Sequence, residues 1–219
     1  MRKLLIIILI ICSPSKYLDV QAASAVEEST KSSIEAGKDY RLLGSRTIDS
    51  ATDLSQLQKV ADIEIFYWFG CTSCLQAEQA IESYAKDHPE LVVKKTPLIP
   101  FPSWRAQAYI QPMIEQLEGK VQLPTREQLY QQCISDCSPF ASFELIKSWL
   151  KTQYSIEELP RLDEPAIWQA EKNFRKRAQS FSISQVPTII VREAYATDAN
   201  STGSVQRLVE VVDYLLKRQ

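Results

Sequence analysis

The chain has 219 residues, 45% of them hydrophobic, and a formal net charge of -2. That is enough to bury one substantial core, or one core carrying a sizeable insertion, and nothing in the length demands two independent domains. No basic excess points to nucleic acid or to an acidic membrane surface, so neither is expected as a partner.

The first residues differ in kind from the rest. Arg2 and Lys3 precede the apolar run Leu4 to Ile11, and small residues follow through Ala22-Ala23-Ser24-Ala25. This is the layout of a secretory signal, with cleavage expected after Ala22 or Ala25. Roughly eight apolar residues are too few for a membrane span, which needs about 20. A lipid-modified Cys12 would call for a small residue before it, where Ile11 stands. Loss of residues 1–25 removes Arg2, Lys3, Lys16 and Asp19 and leaves a mildly acidic protein. Its four remaining cysteines form two close pairs, Cys71 with Cys74 and Cys133 with Cys137. In an exported chain, that pattern favours disulfide chemistry.

Residues 26–38 are rich in Ser, Glu and Lys and read as a flexible lead-in, with order beginning near Tyr40. Ile63 to Phe69 is aromatic and β-branched and ends at Gly70, the pattern of a buried strand. Leu75, Ala77, Ala80, Ile81, Tyr84 and Ala85 then recur at helical spacing until His88-Pro89. Leu91 to Lys95 reads as a second strand, which makes a β-α-β unit and favours a parallel pairing. From Ser103 to Ser180 the signals are helical, for three to five helices. Their start marks are Thr125 with Gln128 as a capping box, Ser138-Pro139, and Asp163-Glu164-Pro165. Strand signal returns at Thr188 to Val191, with an uncertain partner around Tyr195, because Arg192-Glu193-Ala194 lacks the Gly or Asn of a tight hairpin. A last amphipathic helix, about Val205 to Lys217, follows Gly203-Ser204.

Cys71-Thr72-Ser73-Cys74 therefore lies between a strand and a helix. Cys71 would sit at the helix N-terminus, where unpaired N–H groups and the helix dipole stabilise a thiolate. Cys74, one turn on, is within disulfide reach but more buried. Cys71 is thus expected to form the mixed disulfide with a substrate, and Cys74 to complete the exchange. Thr72 and Ser73 offer only neutral donors, and His88 lies at the far end of the helix, so moderate acidity is expected for Cys71. A merely structural Cys71–Cys74 bridge, or a zinc site from all four cysteines, fits the strand and helix context less well. Cys133 and Cys137 share a helix face and read as a structural disulfide rather than a second exchange centre, because no strand-to-helix junction polarises either thiol. Val186-Pro187 is either the ordinary start of a strand or a cis-Pro loop beside the active site.

In combination, Trp68-Phe69-Gly70, Cys71-Thr72-Ser73-Cys74-Leu75, the helical insertion and Val186-Pro187-Thr188 resemble the DsbA family of periplasmic disulfide oxidases, over about Lys38 to Lys217. The resemblance implies an α/β, thioredoxin-like fold with an inserted α-helical domain. Its parts would be residues 39–102, the helical insertion 103–181, and residues 182–219. It also implies Cys71 as the attacking and leaving thiolate, Cys74 as its buried partner, and a cis Pro187 facing the pair. Val186 would offer backbone hydrogen bonds to a substrate strand, with Thr72, Ser73 and Leu75 lining the same site. Recharging would come from a DsbB-like membrane oxidase, and reduced exported proteins would be the substrates. Two departures stand out. Thr72-Ser73 replaces the family's usual Pro-His, which bears on oxidising strength. The family's buried acid six positions before the first cysteine is replaced by Ile65, with Glu64 one residue earlier and hence on the other face of the strand.

The leading expectation is a periplasmic thiol:disulfide oxidase acting as a monomer, with no cofactor and no metal. A reductase or isomerase held reduced is the second reading, against which the short lead-in leaves no room for an added dimerisation domain. A non-catalytic, chaperone-like binding module is the third. Kappa glutathione transferases share the fold and insertion, but their serine nucleophile does not go with a Cys74.

Overall fold

The computed structural model describes residues 33–44 and 61–218, so the expected signal segment, and the lead-in up to residue 32, lie outside the described residues. Five strands, β1 (Arg41–Leu42), β2 (Ile63–Tyr67), β3 (Val93–Pro97), β4 (Thr188–Val191) and β5 (Tyr195–Asp198), form one sheet in the order β1-β5-β4-β2-β3. β2 and β3 run parallel, with Ile63 opposite Val93 and Tyr67 opposite Pro97. The other pairings are antiparallel. The parallel pair follows from its crossover, α1 (Thr72–Lys86), which starts at the cysteine motif.

β3 begins two residues later than the sequence suggests. The Val92 amide is taken by the Asp62 carboxylate (2.9 Å), and the ladder continues to Pro97, which an edge strand tolerates. The aromatic run also leaves the ladder early: β2 stops at Tyr67, and Trp68 to Gly70 turn toward Cys71, whose N–H donates to the Trp68 carbonyl (3.1 Å).

Between β3 and β4 lie 3-10 turns at Pro102–Trp104 and Ala106–Tyr109, then α2 (Ile110–Leu117), α3 (Arg126–Ser135), α4 (Phe143–Gln153) and α5 (Glu164–Ser180). The Thr125–Gln128 capping box starts α3, and Asp163 caps α5 with Pro165 in its first turn. Ser138-Pro139 makes only a 3-10 turn, Ser138–Phe140. The Ser138 amide and hydroxyl are both turned to the Asp136 carboxylate (2.9 Å each), and Ser142 caps α4 instead.

The hairpin between β4 and β5 forms despite its turn residues. Arg192 and Glu193 both adopt positive φ (48° and 56°), which costs a non-glycine residue about 1–2 kcal/mol. The turn is held from outside by the Arg192 amide on the Asp62 carbonyl (3.0 Å), by Arg192 against Asp62 (3.6 Å), and by Glu193 against Arg177 (2.6 Å). The chain closes with α6 (Ala199–Thr202) and α7 (Val205–Leu216). In the stretch expected as lead-in, residues 34–38 turn beneath α7, with Ile34 packed on its core and the Glu35 amide on Asp39 (2.9 Å).

Every residue of β2 is buried because both sheet faces are covered. Ile63 and Ile65 pack with Ala77 and Ile81 of α1 and with Leu208, Val211, Val212 and Leu215 of α7. Phe66 packs on the other face with Ala178 of α5, Phe181 and Ile190. The insertion has its own core, into which Tyr67, Phe69 and Cys74 reach to meet Met113, Leu129, Tyr130 and Phe140. Phe69 and Tyr130 stack edge to face at 5.0 Å.

A buried charge cluster fastens α3 to α1. Glu78, one turn after Cys74 and 2% exposed, is paired by Arg126 through both oxygens, by the Tyr130 hydroxyl (3.0 Å) and by Lys95 (3.2 Å). Burial alone would raise the Glu78 carboxyl, but the Arg126 guanidinium and Lys95 outweigh it and hold the group below its ordinary range. A lowered folded-state pKa contributes stability that is full above the unfolded value of 4.5 and is lost as pH falls through the folded value. Arg126→Met should therefore cost about 3–5 kcal/mol near neutral pH. The gap to wild type should narrow below about pH 4.5 as Glu78 takes up a proton; urea unfolding across pH checks this, and a gap independent of pH would contradict it.

Candidate active site

Cys71 is the N-cap of α1 in extended backbone, and its sulfur accepts from the Cys74 N–H at 3.0 Å. The Ser73 hydroxyl lies 3.3 Å from the same sulfur. Both contacts are neutral, as the Thr72-Ser73 pair implies. His88 is at the other end of α1, stacked on Tyr84 at 4.2 Å. Cys71 and Cys74 are joined as a disulfide, with Cα atoms 5.2 Å apart. The two sulfurs are unlike: Cys74 is fully buried, while Cys71 is half-buried. Thr72 is exposed and Leu75 half-buried, packed with Cys71 against the insertion core.

The Val186–Pro187 peptide is cis. Thr188 pairs with Phe66, so the residues before Thr188 run alongside those that lead from Phe66 to Cys71. Val186 packs against the same core as Cys71 and Leu75. The expected site residues are thus gathered around one end of β2. Cys133 and Cys137 are joined separately as a second disulfide between α3 and the following turn.

Glu64 takes the face away from α1. It is 1% exposed and accepts from Thr96 Oγ1 (2.5 Å) and from Arg177 Nε and Nη2 (2.8 and 2.6 Å). It ties α5 to the sheet and does not lie under the cysteines. The buried acid near the motif is Glu78, whose place four residues after Cys74, on the stripe formed by Ala77 and Ile81, was readable from helical spacing. Gln107 and the aromatic stack of Trp68 on Trp104 (4.1 Å, 5° between planes) had no such local signal. Phe101 meets Trp104 edge on at 5.5 Å and is itself 56% exposed.

A cysteine pair at a strand-to-helix junction, one sulfur reachable and one sealed, on this sheet with this insertion, defines a thiol:disulfide oxidoreductase of thioredoxin fold. Comparisons with known proteins agree. No family model matches the chain. It is 25% identical over 224 residues to the thiol:disulfide interchange protein DsbA of Pseudomonas syringae pv. tomato, covering 100% of this chain and 96% of that one. Against DsbA of Azotobacter vinelandii the identity is 23%, with 100% and 98% covered. The crystal structure of Pseudomonas aeruginosa DsbA superposes with a TM-score of 0.66 at 20% identity, over 84% of this chain and 93% of that one. Over its full length the chain is thus similar to DsbA proteins, and it shares their fold.

Gly70 admits the Trp68 ring: a Cβ there would come within 2.5 Å of it. Gly70→Ala should displace that ring from Trp104 at a cost of about 1 kcal/mol, seen as a lower unfolding midpoint together with changed tryptophan emission; unchanged emission would show that the stack tolerates a methyl group.

Proposed function

We propose that the chain is an exported oxidase that donates disulfides to other exported proteins, with Cys71 as the exchanging sulfur. The observation that carries this is the asymmetry of the pair: Cys71 is half-buried under the Cys74 amide, and Cys74 is sealed. A substrate thiolate attacks Cys71, the Cys71–Cys74 bond breaks, and Cys74 leaves with the electron pair and takes a proton. A second substrate thiolate then attacks the substrate sulfur of the mixed disulfide, and Cys71 leaves as a thiolate stabilised by the helix N-terminus. The substrate gains one disulfide and the protein holds two thiols. A DsbB-like membrane oxidase would take those two electrons and restore the pair.

Val186 would offer its backbone N–H and C=O to an extended substrate segment, a strand addition in miniature, with Thr72, Ser73 and Leu75 bordering it; the cis Val186–Pro187 peptide and the packing of Val186 on the core that Cys71 and Leu75 share support this reading. The Cys133–Cys137 pair reads as a clip on the insertion, since neither sulfur caps an α-helix. Export to the periplasm rests on the signal-like residues 1–25 and on the family. Among the described residues no helix is long and apolar enough to cross a membrane.

The neutral surroundings of Cys71 favour one further reading, a weaker oxidant or a reductase, because among the described residues the contacts to its sulfur come from the neutral Ser73 hydroxyl and Cys74 amide. Equilibration of the pair with a glutathione series, Cys133 and Cys137 replaced by Ala, separates the two. A potential well above that of thioredoxin supports the disulfide donor, and one near thioredoxin's supports the reductase. Cys71→Ser should abolish oxidative refolding of a reduced substrate, and Cys74→Ser, mixed with a disulfide-bonded substrate, should accumulate the mixed disulfide as its Cys71 thiolate attacks that bond and expels one substrate thiolate; full refolding activity in Cys71→Ser would sink exchange at this site.

A further inference from the structure

One buried side chain touches both disulfide-bearing segments. Gln107, 5% exposed on the 3-10 turn at the head of the insertion, accepts from the Phe69 backbone N–H through Oε1 (3.2 Å). Its Nε2 donates to Cys137 Sγ (3.1 Å). The orientation of the amide is fixed by chemistry: a backbone N–H only donates and so takes the oxygen, which leaves the NH2 group for the sulfur.

Position gives this bridge its leverage. β2 ends at Tyr67, so the sheet no longer holds the Phe69 amide two residues before Cys71, and Gln107 does. From Phe69 the chain runs through Gly70 into the turn closed by the Cys71 N–H on the Trp68 carbonyl (3.1 Å). That turn places the Cys71 sulfur under the Cys74 N–H. At the other end, Cys133 is buried in the same core as Phe69, Tyr130 and Phe140, and its bond to Cys137 fixes the sulfur that Gln107 reaches. Either partner's loss leaves a buried amide half satisfied, which a dry site penalises more than a wet one.

We propose that Gln107 is a positioning residue for exchange at Cys71, and that through it the Cys133–Cys137 disulfide tunes the Cys71–Cys74 couple without exchanging electrons itself. The inference rests on the oxidoreductase reading. Its direction follows from charge. The thiolate depends on the Cys74 N–H and the helix terminus more than the disulfide does, so slack in the Phe69–Cys71 segment weakens the reduced form more than the oxidised one. Loosening the bridge makes the protein a weaker oxidant.

The test is the redox equilibrium of Cys71–Cys74 with glutathione, read together with the pH midpoint of thiolate absorbance. It is run in the wild-type protein, in Gln107→Leu, in Cys133→Ala with Cys137→Ala, and in the triple variant. Loss of one hydrogen bond's worth of positioning should shift the equilibrium about fivefold toward the oxidised protein in Gln107→Leu. The cysteine variant should shift the same way, and the triple variant should move no further than Gln107→Leu alone. Thiolate midpoints should rise in parallel, which a loss of packing alone would not produce. Circular dichroism qualifies each variant as folded. Should Gln107→Leu fail to fold, Gln107→Glu takes its place, since it keeps the acceptor for Phe69 and removes the amide donor to Cys137. An equilibrium unmoved by either substitution, or shifts that add independently in the triple variant, overturns the proposal while leaving the oxidoreductase reading intact. A wild-type pair that does not equilibrate with glutathione overturns both.

Discussion

The Cys74 N–H reaches the Cys71 sulfur across 3.0 Å because Cys71 stands just outside α1 in extended backbone while Cys74 is already inside the first turn. Most of the molecule can be read as support for that donor. β2 delivers Cys71 to the helix end, and α7 and the sheet fix the axis of α1 from one side through Ala77 and Ile81. The insertion covers the other side through Cys74 and Glu78. Helix N-termini are common; one whose third amide is held on a sulfur, with the sheet, α7 and the insertion packed around the helix, is a chemical device.

The parts of this arrangement that depend on neighbours in sequence were legible in advance. The change of period from Ile63-Phe69 to Leu75-Ala85 places the motif at a strand-to-helix junction, and Thr125-Gln128 and Asp163-Pro165 mark two helix starts correctly. Local reading fails where a side chain is claimed by a distant or competing partner. Ser138 looks like a cap, but Asp136 claims it. Arg192-Glu193 looks wrong for a tight turn, yet Asp62 and Arg177 hold it there from outside. Gln107 is unremarkable in its own stretch and gains meaning only from Phe69, 38 residues earlier, and Cys137, 30 residues later.

The two buried acids show how one residue of strand register redistributes chemistry. Glu64 points away from the active-site helix and spends its charge on Arg177 and Thr96, joining α5 to the sheet. Glu78, on α1 itself one turn after Cys74, is neutralised by Arg126 and Lys95. Both carboxylates therefore join the insertion to the thioredoxin-like part, one on each side of the sheet, so the two parts are fixed by polar pairs of defined geometry as well as by apolar contact.

Among the described residues the sheet is bordered by β1 and β3, and both are poor templates. β1 is only two residues long, and β3 presents Lys94 and Lys95 and ends in Pro97, which has no N–H to share. Such borders discourage another chain from adding itself as a sixth strand. For the disulfide donor proposed above, this would amount to a filter against its own clientele. Chains that would otherwise adhere along a sheet margin and aggregate there find little purchase, which leaves the loop at Val186 beside the cysteines as the proposed place for an extended segment to settle and leave again.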